Sequence, residues 1–282
     1  SNLTAARYPA TVASREVEGG LKSVASALDL LDCFLEDEEL GVTDVARRLG
    51  VAKSTAHRLL TTLASRGLVT QNPQNGRYRL GLHLFELGHL ALERIELRRR
   101  SKALLEHLRE ESGWTVHLSI RQGADSLFLE RLVTLRGMKA IEQYRRRWPL
   151  HATSSGKVIC AYDPEAAHAR LDAGLPAFTP HTITTSEAFA SELGRIRRQG
   201  YAISRGELMP ALASVAAPVL DAHGIAVAAI SITGDIADLG GQPDRQARLV
   251  QAAAKRLSST LTSKAADQRN GGVPASRTDE GR

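Results

Sequence analysis

An α+β fold in two parts is predicted by three observations. A helix-turn-helix pattern followed by a short hairpin occupies residues 41–81. One long helical pattern comes next, and from Thr115 the apolar period turns to two and then alternates between strand and helix. At 282 residues there is length for about two domains, and 43% hydrophobic with 24% charged residues is ordinary for globular ones. The expected division is a flexible arm at 1–18, a winged helix-turn-helix at 19–81, a linker helix at 82–98, a sheet domain with flanking helices at 99–263 and a disordered tail at 264–282.

The first helix begins near Leu21, where Leu21, Val24, Ala25, Leu28, Leu31 and Leu35 recur at helical spacing. The acids Glu36, Asp37, Glu38 and Glu39 end it and are expected to point to solvent. Two short helices follow, 43–49 and 54–65, separated by a turn at Gly50-Val51-Ala52 too short for antiparallel packing, so they must cross steeply. Thr43 is the expected N-cap of the first and Gly50 its C-terminal stop. In the second, Ala56, Leu59, Leu60 and Leu63 form the inner face, leaving Lys53, Ser54, Thr55, His57, Arg58 and Thr62 outside. Two β-like runs, 68–71 and 77–80, are joined across Asn75-Gly76, a hairpin signal.

Charge agrees with this reading. Between Val45 and Phe85 stand Arg47, Arg48, Lys53, Arg58, Arg66, Arg77 and Arg79 without one Asp or Glu. Such a local positive field on a helix-turn-helix points to double-stranded nucleic acid. Ser54, Thr55, His57 and Arg58 are expected at base edges, Lys53, Arg47 and Arg48 on phosphates, and Asn75 with Arg77 at the adjacent groove or backbone, with Thr62 on the same outer face.

The pattern from Leu82 to Ser112 exceeds an ordinary helix, and a break is expected near the charged block 94–100. The apolar stripe before it suits packing on a copy of itself or on its own chain. Strands are expected at 115–120, 127–133 and 139–144, helices at 154–162, from Pro164 and at 186–199, then strands at 201–204, 214–220 and 225–233, and a last helix at 244–263. Hairpin connections make the sheet antiparallel, with helices expected on one side.

No apolar run approaches the ~20 residues of a membrane span. Ser1-Asn2 in place of Met reads as a cloning remnant, no secretory signal is expected, and the location expected is the cytoplasm. Cys33 and Cys160 lie far apart and read as reduced packing residues, and neither they nor the nine histidines fall at metal spacing, so no metal or cofactor is expected.

Four stretches, taken together and in this order, carry a family resemblance: LKSVASALDLLDCF at 21–34, KSTAHRLLTTLASRGLV with YRLG at 53–81, LHATSSGKVICAY at 150–162, and GYAISRGE with SVAAPVLDAHGIAVAAISITG at 200–234. The chain resembles the IclR family of bacterial transcription regulators over nearly its whole folded length. The resemblance implies a GAF-like C-terminal domain that binds a small organic acid or aromatic effector, a homodimer or a tetramer built as a dimer of dimers, and promoter binding, here expected to repress, that the effector modulates. It maps the effector pocket onto Ala140, Ser154, Ser155, Ser204, Ser214, Ser231 and Thr233. This chain departs from the family pattern in having Ser204 where many members have an acid, Gly206-Glu207 where many have two glutamates, and Ala211 and Ser214 where many have Gly and Cys.

From the residues alone, hydroxyls and a helix N-terminus suit a carboxylate, while Ser231 and Thr233 also fit as strand-filling hydroxyls. Ser154-Ser155-Gly156-Lys157 contains an SxxK spacing, but neither SDN nor KTG follows, and it lacks the rest of a phosphate loop. Lys157 is expected at the surface or as a cap. The chain is therefore expected not to be an enzyme. Two rivals stay open: a small-molecule-processing domain fused to a DNA-binding module, and a DNA-binding protein without sequence preference.

Overall fold

The computed structural model describes residues 20–35, 37–134, 147–239 and 243–270. The arm at 1–18, the strand expected at 139–144 with Ala140, and the end of the tail lie outside the described residues. The chain divides into two compact units between Arg94 and Ile95.

In the first unit α1 (Lys22–Asp32) continues as a 3-10 turn, Cys33–Leu35. The stripe read from the sequence is largely the wrong face of this helix. Leu30 and Phe34 are buried with Ala27 and Leu31 beside them, whereas Leu21, Val24, Leu28 and Leu35 are exposed. Both faces are apolar, so periodicity alone could not choose between them. α2 (Val42–Leu49) starts from Gly41, whose N–H donates to the Asp44 carboxylate, and not from Thr43. Gly50 ends it at φ 65°, the left-handed turn that glycine adopts without a Cβ penalty. α3 (Lys53–Ser65) buries Ala56, Leu60 and Leu63 against Val45 and Ala46.

The wing is β1 (Val69–Gln71) antiparallel to β2 (Tyr78–Leu80). Leu40 adds a bridge to Tyr78 through two backbone hydrogen bonds of 2.9 Å, so the segment before α2 forms the wing's third edge. Gly81 lies so close to Gly67 that a Cβ on it would stand 2.0 Å from the Gly67 carbonyl oxygen. α4 (Leu82–Glu93) then runs without one buried residue.

The helix breaks at Arg94-Ile95, the leading edge of the charged block, and α5 (Glu96–Ser112) opens the second unit. β3 (Thr115–Gln122), β4 (Asp125–Leu132) and β5 (Arg147–Pro149) precede α6 (Ser154–Tyr162), α7 (Pro164–Asp172) and α8 (Ser186–Gln199). β6 (Ala202–Arg205), β7 (Leu212–Leu220), β8 (Ala226–Asp235), the single turn α9 (Ile236–Leu239) and α10 (Pro243–Asn270) complete the order, the last helix running past its expected end at 263. The sheet is antiparallel throughout, in the order β5-β4-β3-β8-β7-β6.

Helices cover both faces of the sheet, not one. Leu105 and Leu108 of α5 with Val250, Ala254 and Leu257 of α10 pack on Val116, Val215, Ile230 and Ile232. On the other face Val158 and Ile159 of α6 and Phe189 of α8 meet Ala202, Ala216 and Ala229, small residues that let α6 approach the strands closely. Among the described residues no helix is long and apolar enough to cross a membrane.

Candidate functional site

The α3 surface carries what the sequence assigned to it. Lys53, Ser54, Thr55, His57, Arg58 and Thr62 are all exposed, although the Thr62 hydroxyl donates back to the Arg58 carbonyl at 2.7 Å. Arg47 on α2 is exposed and only loosely paired, 3.8 Å from Asp44. Arg48, Asn75 and Arg77 depart from expectation. Arg48 donates to Asp37 and to the Cys33 carbonyl, and Arg77 to Asp44 and the Glu39 carbonyl, each of the latter two at 3.0 Å. Asn75 donates to the Glu39 carboxylate at 2.8 Å. Of the acids read as pointing to solvent, Asp37 and Glu39 are thus partners of α2 and of the wing, Glu38 is exposed as expected, and Glu36 lies outside the described residues. They precede Val45 in the chain, which is why counting charges from Val45 onward missed them.

A small cleft opens in the second unit between the sheet and the N-terminus of α6. Ser154 and Ser155 begin that helix, Ser214 stands on β7, and Ser231 and Thr233 alternate along β8, so all five line one space. Strand register brings them together: Ser214 pairs with Thr233, and Ser231 lies between Ala216 and His117. Ser154 donates to Ser214 at 2.7 Å. Thr153 caps the helix by accepting from the Gly156 N–H at 3.0 Å. Ser204 is buried but turned to the Ala152 carbonyl at 3.4 Å, outside the lining, and Ala140 lies outside the described residues.

Sequence reading missed the cleft's other wall. His117, Phe128, Leu208 and Leu212 line it, the two rings stacked at 4.5 Å between centroids. The strands of His117 and Phe128 were legible, but not the register that turns these positions to the α6 side; Leu208 lies between β6 and β7, and Leu212 starts β7 two residues ahead of the strand expected at 214. Burial, and after it the Arg131 charge, holds His117 down to about 3, so its imidazole is neutral at physiological pH. Its Nδ1 lies 3.4 Å from the Thr233 hydroxyl.

Lys157 is neither at the surface nor a cap. Only 1% exposed, it donates to Glu207 at 2.6 Å, to the Ile203 carbonyl at 2.7 Å and to Glu192 at 3.1 Å, which occupies all three ammonium hydrogens. Burial pushes the Glu207 carboxyl up, against the pull of Lys157. Burial also opposes the charge of Glu192, but hydrogen bonds from Arg195 and Lys157 outweigh it and hold its carboxyl low. Glu207 makes this contact with Lys157 while the position before it is Gly206. His151, three positions before Ser154 in sequence, turns Nε2 to the Pro176 carbonyl at 2.9 Å and is held down to about 4 by burial. Among the described residues no group of three His, Cys, Asp or Glu side chains is arranged around a metal position.

Comparison with known proteins covers both units. The family model described as "IclR helix-turn-helix domain" matches residues 23–73, and that described as "Bacterial transcriptional regulator IclR C-terminal" matches residues 89–259. The HTH-type transcriptional regulator XynR of Escherichia coli (strain K12) is 38% identical over 216 residues, spanning 76% of this chain and 86% of that protein. The crystal structure of an IclR transcriptional regulator from Alicyclobacillus acidocaldarius superimposes with a TM-score of 0.74 at 28% identity, over 85% of this chain and 98% of the other. An IclR homologue from Microbacterium hydrocarbonoxydans, complexed with 4-hydroxybenzoate, does so with a TM-score of 0.72 at 27% identity and the same coverage. With the second family model alone covering more than half its length, and the first falling on the helix-turn-helix ahead of it, this chain belongs to the IclR family of transcriptional regulators.

Proposed function

We propose that this regulator binds promoter duplex through α3 and a small organic acid with an aromatic or otherwise apolar body in the cleft of its second unit. The observation that carries the effector reading is the pairing of two unlike walls. One supplies hydroxyls and the N–H groups of a helix N-terminus, which favour an anion. The other supplies Phe128 and Leu208, against which a ring or short chain packs. The neutral His117 adds no charge, and Lys157 is already matched by two carboxylates, so a single carboxylate suits the cleft better than a multiply charged ligand. The relative crystallised with 4-hydroxybenzoate supports the same class.

Binding, not turnover, is the proposed role. The Ser154 hydroxyl is engaged with Ser214 and His151 with a carbonyl, so neither is arranged as nucleophile and base. On the DNA side Ser54, Thr55, His57 and Arg58 are assigned to base edges and Lys53 and Arg47 to phosphates. The exposed Leu82, Phe85, Leu87 and Leu90 of α4 support a homodimer, or a dimer of dimers, and the cytoplasm is the location proposed for it. The effector acts by preferring one arrangement of that oligomer, and a tenfold change in promoter occupancy needs only ~1.4 kcal/mol of coupling. Repression is the proposed sense of the response.

Calorimetric titration with 4-hydroxybenzoate and a panel of aromatic and keto acids tests the cleft. Saturable binding of one of them, with the ligand recovered unchanged, is expected. Ser231→Phe should abolish it while leaving DNA binding intact. Conversion of the ligand, or equal binding by the variant, contradicts the reading.

A further inference from the structure

The wing is held by a clamp that redistributes its charges. Glu39, on the segment between α1 and α2, accepts from the Asn72 amide at 2.9 Å through one carboxylate oxygen and from the Asn75 amide at 2.8 Å through the other, so both ends of the wing turn converge on it. Its carbonyl accepts from Arg77 at 3.0 Å, and the same guanidinium nitrogen donates to Asp44 on α2. Hydrogen bonds from the two amides hold the Glu39 carboxyl below its usual range, as a carboxylate kept ionised by donors should be.

Asn72 and Asn75 also order the turn from within, Asn72 Oδ1 accepting from Gln74 N–H and Asn75 Oδ1 from Arg77 N–H at 3.0 and 2.9 Å. Each asparagine therefore spends its oxygen on the turn and its nitrogen on Glu39. Arg77 is locked between a carbonyl and a carboxylate. The neighbouring Arg79 is exposed on the face of β2 opposite the buried Tyr78, and its charge acts on Glu39 without joining the clamp.

We propose that Glu39 is the positioning residue of the wing, fixing it to the α1–α2 segment through Asn72, Asn75 and Arg77, and that Arg79 rather than Arg77 is the wing's phosphate-binding cation. An arginine paired with a carboxylate has no net charge to offer a phosphate and would have to break two hydrogen bonds to reach one. Releasing counterions from DNA therefore falls to the cations outside the clamp, Arg79 in the wing with Lys53 on α3 and Arg47 on α2.

The test uses the full chain, a mixed-sequence duplex, and the variants Arg79→Ala, Arg77→Ala and Glu39→Gln. Two quantities are read: the slope of log affinity against log salt, and amide hydrogen exchange across the turn 72–77. Arg79→Ala should flatten the slope by about 0.9, the contribution of one phosphate contact, with wing exchange as in the wild type. Arg77→Ala should leave the slope unchanged and speed wing exchange. Glu39→Gln, which keeps the side-chain shape but faces one amide donor with another, should speed exchange likewise. An unchanged slope in Arg79→Ala, a flattened slope with unchanged exchange in Arg77→Ala, or unchanged exchange in Glu39→Gln overturns the proposal. Failure of the wild type to bind any duplex would instead count against the DNA-binding role, and the exchange data would still judge the clamp.

Discussion

His117 and Lys157 answer the cost of burying an ionisable group in opposite ways. The imidazole gives up its charge, whereas the ammonium keeps its own and gathers two carboxylates and a carbonyl around it. Neither outcome was legible in sequence. A lysine after Ser-Ser-Gly at a helix start looks like a surface residue, because its partners Glu192 and Glu207 lie 35 and 50 positions away. The neutral histidine has a consequence for stability. In the unfolded chain an imidazole takes up its proton near pH 6.5, but folded His117 resists until about 3 and His151 until about 4. Between these limits the unfolded state binds more protons, so stability is complete above about pH 6.5 and falls as pH drops. Thermal unfolding followed from pH 7 to pH 5 should show this loss, and His117→Gln should reduce its steepness. An identical pH slope in the variant would contradict the assignment.

At the scale of elements, the patterns that depend on near neighbours were the readable ones. The helix-turn-helix, the Asn-Gly hairpin, α6 with its boundaries at 154 and 162, and the turn at 221–224 all rest on local spacing and turn chemistry. What failed was the choice of face. α1 has two apolar faces and buries the one with Leu30 and Phe34, and the sheet collects helices on both sides because β7 and β8 carry apolar residues toward each. The cleft exists because α6 sits tightly on the turn before it. A Cβ at Gly156 would stand 2.2 Å from the Leu150 carbonyl oxygen and 2.4 Å from its Cα, so the helix start cannot seat with a larger residue. Gly156→Ala should destabilise the second unit by about 1–3 kcal/mol, the usual cost of overpacking. Chemical denaturation monitored by the Trp114 and Trp148 of that unit would read it, and an unchanged midpoint would show that α6 shifts freely.

For the whole molecule, two units carry two kinds of chemistry. The first presents a positively charged helix on a small core tied together by Glu39, Asp44 and Asp37; the second encloses an uncharged, hydroxyl-lined cleft between a six-stranded sheet and α6. The order of these parts was visible from period changes along the chain, and five of the seven expected pocket residues converge on one cleft. Its aromatic wall was not visible, since whether His117 and Phe128 face α6 depends on strand register across the β3–β4 bulge. Regulation by this chain requires sequence-specific recognition of DNA by α3. It is tested most directly by the affinity for a duplex from the gene's own upstream region against a scrambled duplex of the same composition, at ~150 mM salt, where non-specific contacts weaken. A preference of ~10³-fold or more for the upstream duplex is expected of a specific regulator. Equal affinity for the two, with and without the acids that bind the cleft, would contradict it.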